Sequence, residues 1–355
     1  MNMIGACWMV RSLGEAVSAL SINESYGIIA GGWNGRLNKW APEGELQWSI
    51  QLPDRIGSIS STNDLMVVTA GLHVVAIKSD DGEILWQVPL EGSADQAVIL
   101  GSAIYATSSV YDIEHNDFID SAIWCFDKSG KLLWDTHMDE KPWVLKSFDG
   151  QITLGLGRPK MGAATLDAEG KVKHIDLDSK SPVTIGVTTS EEILFGHANG
   201  DVTTPSGRMI TGAGQSVESM VKNSLNYLFV STEKEIMAKD IDDKTIWSSS
   251  EPSSLLCIGF KIEDSESLWS VDWNGAESSL KVRDSLSGDI ITSMNHSKIR
   301  NLKSRGNRVV VGDEHGEVFV WDMELFNRRT GKQESVEDSA HKKSMRERLR
   351  ALKKR

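Results

Sequence analysis

The chain has 355 residues, of which 40% are hydrophobic and 31 are glycine, a globular make-up that excludes disordered and collagen-like classes. No stretch approaches the ~18–20 apolar residues of a membrane-spanning helix, and three cysteines are too few and odd in number for a disulfide scaffold. The formal net charge is −12 but unevenly placed: residues 328–355 hold eleven Lys/Arg against four Asp/Glu (+7), leaving −19 on residues 1–327.

In chain order, Ala6-Cys7-Trp8-Met9-Val10-Arg11-Ser12-Leu13-Gly14 reads as an outer strand whose unit lacks its beginning. It follows the pattern of Ile84-Leu85-Trp86-Gln87-Val88-Pro89-Leu90-Glu91-Gly92, with Trp8 on Trp86. Ile4-Gly5-Ala6-Cys7 mimics a lipoprotein cleavage box, but it has no room for charged and apolar regions before it and is read as chance.

Next, Gly32-Trp33-Asn34-Gly35 supplies the positive φ values of a tight hairpin turn. Similar markers recur at Gly196 to Gly200, Asp272 to Gly275 and Asp313 to Gly316. They are assigned to the second-to-third strand turns of units one, five, seven and eight. Between Met66 and Leu90, three β-rich runs are separated by Gly- and Asp-bearing turns, the pattern of consecutive antiparallel hairpins.

A Gly-x-x-x-Trp pattern joins these units. It occurs at Gly44 to Trp48, Gly82 to Trp86 and Gly130 to Trp134, and at Asp243 to Trp247 with Asp for Gly. Gly170 to His174, Gly207 to Thr211 and Gly288 to Thr292 keep the turn without the Trp. The anchors 48, 86, 134, 174, 211, 247 and 292 are spaced by 38, 48, 40, 37, 36 and 45 residues. A four-stranded propeller blade needs about 40–50. At the far end, Ile299–Leu302, Val309–Val311 and Val318–Asp322 supply three strands and no fourth. The N-terminal strand is expected to complete that blade and close the ring, which removes a weak edge. The fold read here is all-β, an eight-bladed propeller of four-stranded blades over residues 1–326. Seven blades is the alternative if the Trp-less units are misread.

Asp127-Lys128-Ser129-Gly130-Lys131-Leu132-Leu133-Trp134 resembles the pyrroloquinoline-quinone-like propeller repeat, as does Ala76-Ile77-Lys78 through Gly82 to Trp86. Asp313 to Asp322, ending in Trp321-Asp322, is similar to a WD repeat. The resemblance spans residues 4 to about 323. It implies eight blades, with outer-strand Trp residues docked between neighbours; Trp8, Trp48, Trp86, Trp134 and Trp247 would fill that role. The quinone-dependent enzymes of that family are larger and secreted and carry a calcium site and a pair of adjacent cysteines; this sequence is read as having neither an export signal nor adjacent cysteines. No cofactor is therefore expected. Fold alone does not settle activity.

Catalytic motifs are not found: no Gly-x-Ser-x-Gly, no His-Glu-x-x-His, no Cys-x-x-Cys, and the eight His are scattered. Cys7, Cys125 and Cys257 sit in strand-like runs and read as reduced buried thiols, which fits a cytoplasmic compartment. An insertion from Val110 to Asp120 gathers four carboxylates and His115. It is read as a solvated acidic loop rather than a cation site. Trp33, His73, Trp273 and His315, on turns of blades that become neighbours on closure, form either an aromatic contact arc on one face or packing against the next blade.

Residues 327–340 read as a polar linker and 341–355 as a basic amphipathic helix. Met345, Leu349 and Leu352 share one face, and Lys342, Lys343, Arg346, Arg348, Arg350, Lys353, Lys354 and Arg355 surround it. A helix of ~15 residues is marginal alone in water, so it is expected to order on a partner. Three readings compete for it: nucleic-acid phosphates, a protein groove or anionic membrane surface, and a solvated end with no role. Taken together, the sequence predicts a monomeric, cytoplasmic, non-catalytic interaction scaffold with a protein partner. A nucleic-acid-associated factor tethered by the tail and a quinoprotein-like enzyme are the alternatives.

Overall fold

Leu65–Ala70 pairs antiparallel with His73–Lys78, which pairs with Ile84–Pro89. Ile56–Ser61 completes this sheet on the other side. The same inner-to-outer order of four strands repeats along the chain in the computed structural model, which describes residues 3–330. Blades one to seven span residues 17–51, 56–89, 93–138, 142–175, 183–212, 219–249 and 255–296. Blade eight takes three strands from residues 299–322 and its outer strand from Met9–Ser12. Each inner strand lies beside that of the next blade, and the last, Ile299–Arg305, lies beside the first, Val17–Ile22. The chain is therefore an eight-bladed ring, and the seven-blade alternative falls away.

The apolar core is divided among the junctions. Eight buried clusters each straddle two adjacent blades; one joins Ile29, Leu37 and Trp48 to Ile56, Met66 and Val68. Such a division follows from strands apolar on both faces, because each blade is covered by a neighbour on either side.

The Gly-x-x-x-Trp pattern is the bolt of these junctions. The indole N–H of Trp86 donates to the Lys128 carbonyl in the third-to-fourth turn of the next blade, at 2.9 Å. Trp48 reaches Ser79, Trp134 reaches Ala168 and Trp247 reaches Ser285 in the same way, each at 3.0 Å. The ring lies against the next blade's turn glycine. A Cβ at Gly130 would come 2.6 Å from Trp86 Cγ, and Gly82, Gly170 and Gly288 meet Trp48, Trp134 and Trp247 equally closely. The glycine of one repeat thus makes room for the tryptophan of the repeat before it.

Ring closure pairs Met9 with Val320 and Ser12 with Glu317. One detail differs from the sequence reading. Val320 faces Met9 as Ala76 faces Trp86, so Met9, not Trp8, takes the docking position, and its sulfur sits under Gly44. Trp8 precedes the ladder, with its amide N–H donating to the Val320 carbonyl and its ring beneath the Arg308 guanidinium at 4.3 Å. The seam is further tied by the Trp321 indole N–H, which donates to the Met3 carbonyl at 3.0 Å. A helix, Met323–Thr330, then runs across the boundary read at residues 326/327. Its Phe326 is fully buried, with its ring 5.3 Å from Phe260 and 5.6 Å from Trp269.

The insertion of blade three is a long hairpin rather than a loop. Ala103–Asp112 pairs with Asp117–Asp127 and only residues 113–116 turn. Alternation of apolar Tyr111 and Phe118 with the acidic positions extends the strands instead of breaking them.

Candidate interaction face

Antiparallel four-stranded blades send every second-to-third turn and every fourth-to-first connection to one face of the disc. Trp33 and Trp273 stand on this face at the turns of blades one and seven, with blade eight between them. Blade eight supplies Lys298 and Arg300 at the start of its inner strand, and the connection into blade two supplies Arg55. The Arg55 guanidinium lies 4.1 Å from the Trp33 ring centre, Arg300 lies 5.2 Å from it, and Lys298 lies 4.9 Å from the Trp273 ring. Trp33, Arg55, Lys298 and Arg300 line a cavity of about 210 Å³ with Ser254 and Asn301.

These three cations have no carboxylate within ion-pair distance among the described residues, and the buried Nε of Arg300 has no acceptor. Some cations elsewhere do pair: Lys281 and Arg283 share Glu251, and Lys222 holds Glu191 at 2.8 Å. Unpaired cations stacked on exposed indoles form a surface suited to carboxylate or phosphate groups.

Neither predicted histidine lines this mouth. His73 begins the third strand of blade two and is half-buried, with Ala70 and Pro89 as its ladder neighbours. The His315 ring is exposed beside Glu314 at 4.0 Å. Its backbone N–H donates to Asp313, whose carboxylate is fully buried in the turn. Burial alone would raise that carboxyl, but His296, the N–H groups of Glu317 and His315, and Ser297 together hold it below the ordinary range.

A second centre on the same face was not found from the sequence. Phe118 of the long hairpin, Lys141 of the connection into blade four, Trp143 at the start of that blade's inner strand, and Arg158, Pro159 and Met161 line a cavity of about 680 Å³. Phe118 meets Tyr111 and Trp143 edge-on at 5.1 and 5.6 Å, and Lys141 Nζ sits 3.6 Å from the Phe118 ring centre. Lys141 pairs with Asp95 at 3.5 Å and donates to the Ser109 hydroxyl. Burial lowers the lysine's pKa and raises the aspartate's, so burial works against both charges of this pair, which lies beneath partly exposed rings. The signal available in sequence was Tyr111 and Phe118 flanking a four-residue turn, which spells an extended hairpin with an aromatic tip.

The hairpin's carboxylates do not converge on one point. Asp112 accepts from the Glu114 N–H and lies 2.6 Å from His115 Nδ1, which holds its pKa low. Asp120 turns instead to Glu91 and His137. The three cysteines are free, and burial pushes the Cys7 and Cys257 thiols up to about 12. Among the described residues no helix is long and apolar enough to cross a membrane. The basic segment from Lys342 to Arg355 lies outside the described residues.

Comparison with known proteins places the fold. A family model described as outer membrane protein assembly factor BamB matches residues 34–270. BamB from Moraxella catarrhalis superposes with a TM-score of 0.69 at 15% identity, over 89% of this chain and 99% of that one. Sqt1 of Saccharomyces cerevisiae gives 0.72 at 10% identity, over 89% and 98%. The computationally designed protein Ika8 gives 0.69 at 17% identity, over 88% and 98%. At these identities the likeness is one of fold. No curated protein matches the sequence.

Proposed function

The chain belongs to the family described as outer membrane protein assembly factor BamB, and from that premise we propose that it is a non-catalytic interaction platform. The partner is a protein that docks on the face carrying Trp33, Trp143 and Trp273. The observation that supports this reading is the set of uncompensated cations at the mouth: Arg55, Lys298 and Arg300 stand unpaired on a body whose first 327 residues carry −19. Cations gathered beside indoles on a body of opposite net charge favour a partner that brings carboxylates, and half-exposed Trp side chains are the residues from which interface hot spots are made. A segment with carboxylates for the mouth and an apolar side chain for the Phe118–Trp143 cleft fits both centres. The basic tail, 341–355, is a further contact to the same assembly, and the free thiols favour a reducing compartment such as the cytoplasm.

The test is capture of partners by the full chain, by the Arg55→Glu/Arg300→Glu variant and by a form lacking residues 331–355. Loss of one captured protein with the charge reversal, at unchanged melting temperature, is the expected result; equal capture by all three forms overturns the proposal. The tail's +7 also motivates a nucleic-acid reading. A mobility shift that weakens steeply with salt and disappears with the tail would favour it over a protein partner.

A further inference from the structure

The axial channel holds a second group of cations, distinct from those at the rim. Two cavities of about 580 and 560 Å³ lie along it and share Lys146, Thr188, Lys303 and Ser304 in their walls. Lys146 comes from the inner strand of blade four and Lys303 from that of blade eight. Four blades apart in an eight-membered ring, these strands face each other across the axis. Neither lysine has a carboxylate within ion-pair distance or a side-chain hydrogen-bond acceptor among the described residues. The other two cations of the walls are compensated: Arg305 lies 3.8 Å from Glu24 and Lys222 lies 2.8 Å from Glu191. Glu218 is the single carboxylate in either lining. The hydroxyls of Ser21, Ser147 and Thr188 border the same space and donate to no protein group among the described residues.

Confining two like charges in a channel with no counter-charge is unfavourable unless something neutralises them. Burial, and after it the charge of Lys303, lowers the pKa of Lys146, so the two ammonium groups feel each other across the channel. The rim cavity opens toward this space, since Ser18 and Asn301 line both it and the larger axial cavity.

We infer that the channel binds a small polyanion, a phosphate ester or a polycarboxylate, bridged between the Lys146 and Lys303 ammonium groups with the Ser147 and Thr188 hydroxyls as further donors. Charge-assisted hydrogen bonds from both sides account for retention, and cavities of about 580 and 560 Å³ suit a small molecule. The site is separate from the protein-docking face and does not depend on it.

Pyrophosphate and citrate, titrated at matched ionic strength into the full-length protein by calorimetry, test this. Saturable binding of either anion at one site is expected, with pyrophosphate alone indicating a phosphate ester and citrate alone a polycarboxylate. Lys146→Met/Lys303→Met should weaken it by about tenfold or more per lysine. The same variant should melt no lower than wild type without anion, since it removes an uncompensated pair. Thr188→Val, which alters no charge, should weaken binding more modestly and serves if the double variant does not fold. Binding of neither anion overturns the inference. So does undiminished binding by the lysine variants, because the anion would then be held elsewhere, for instance on the basic tail.

Discussion

Blades two and five solve the same packing problem differently. At the junction of blades two and three, Trp86 fills the gap, donates to Lys128 and is covered by Gly130. Blade five has Thr211 at the anchor position, and its outer strands shrink to Asp201–Thr203 and Met209–Gly212. Its interior also holds His197, fully buried, with Nδ1 2.8 Å from the Ser181 carbonyl and Nε2 2.9 Å from the Thr203 hydroxyl. Where the indole bolt is missing, the junction keeps its apolar cluster and a buried polar network is added beside it. The first is indifferent to pH. The second depends on a protonation state and on every partner being present.

The largest expected effect comes from a form in which one junction is removed outright. Deleting residues 2–12 takes away the outer strand of blade eight, the Met3 acceptor of Trp321 and the Met9 dock, and leaves an open edge. The loss should be comparable with a domain's whole stability, ~5–15 kcal/mol, seen as missing cooperative melting by circular dichroism. Retention of a sharp transition would mean that the seam contributes no more than any other strand. Next, Trp86→Ala should cost ~2–4 kcal/mol in denaturant unfolding, since it leaves a cavity beside Phe126 and Gly130 and loses the indole hydrogen bond to Lys128. His174→Ala, at the same spacing from the turn glycine in a Trp-less outer strand, gives up mainly one hydrogen bond to the Met161 carbonyl, ~1 kcal/mol. Equal costs at the two sites would break the distinction between bolted and unbolted junctions.

That distinction also governs what could be read in advance. The Gly–Trp pattern was legible because one interaction imposes two residue types at a fixed spacing, and it repeats. Trp8 misled because a one-residue irregularity at the strand start passes the docking position to Met9, and no pattern reveals such a slip. The rim was half legible: Trp33 and Trp273 stood out as aromatics in turns, but Arg55 and Arg300 are 245 residues apart and meet only because the ring closes. Lys141 and Trp143 escaped notice because the hairpin that gives them their context was read as an acidic loop. Lys146 and Lys303 were invisible for a further reason. A lysine in a β-strand reads as solvent-facing, and only the closed ring turns that solvent into a channel.

The subtlest consequence concerns acid. His197 Nδ1–H donates to a carbonyl, which leaves Nε2 to accept from the Thr203 hydroxyl, so the folded network fits the neutral ring. Burial lowers its pKa, outweighing the Ser181 hydrogen bond and the Asp201 charge. For a base with a depressed folded pKa, the unfolded chain binds the proton first. The stabilisation is therefore complete above the unfolded value, ~6.5, and declines as pH falls below it toward the folded value. Melting followed from pH 7.5 to 5.5 should show wild type losing stability over this window. His197→Gln, whose amide can still pair with Thr203, should start lower at pH 7.5 and fall less steeply. Trp86→Ala should run parallel to wild type, because the indole junction contains no group that titrates there. Parallel slopes for wild type and His197→Gln would mean that blade five draws none of its cohesion from the neutral imidazole.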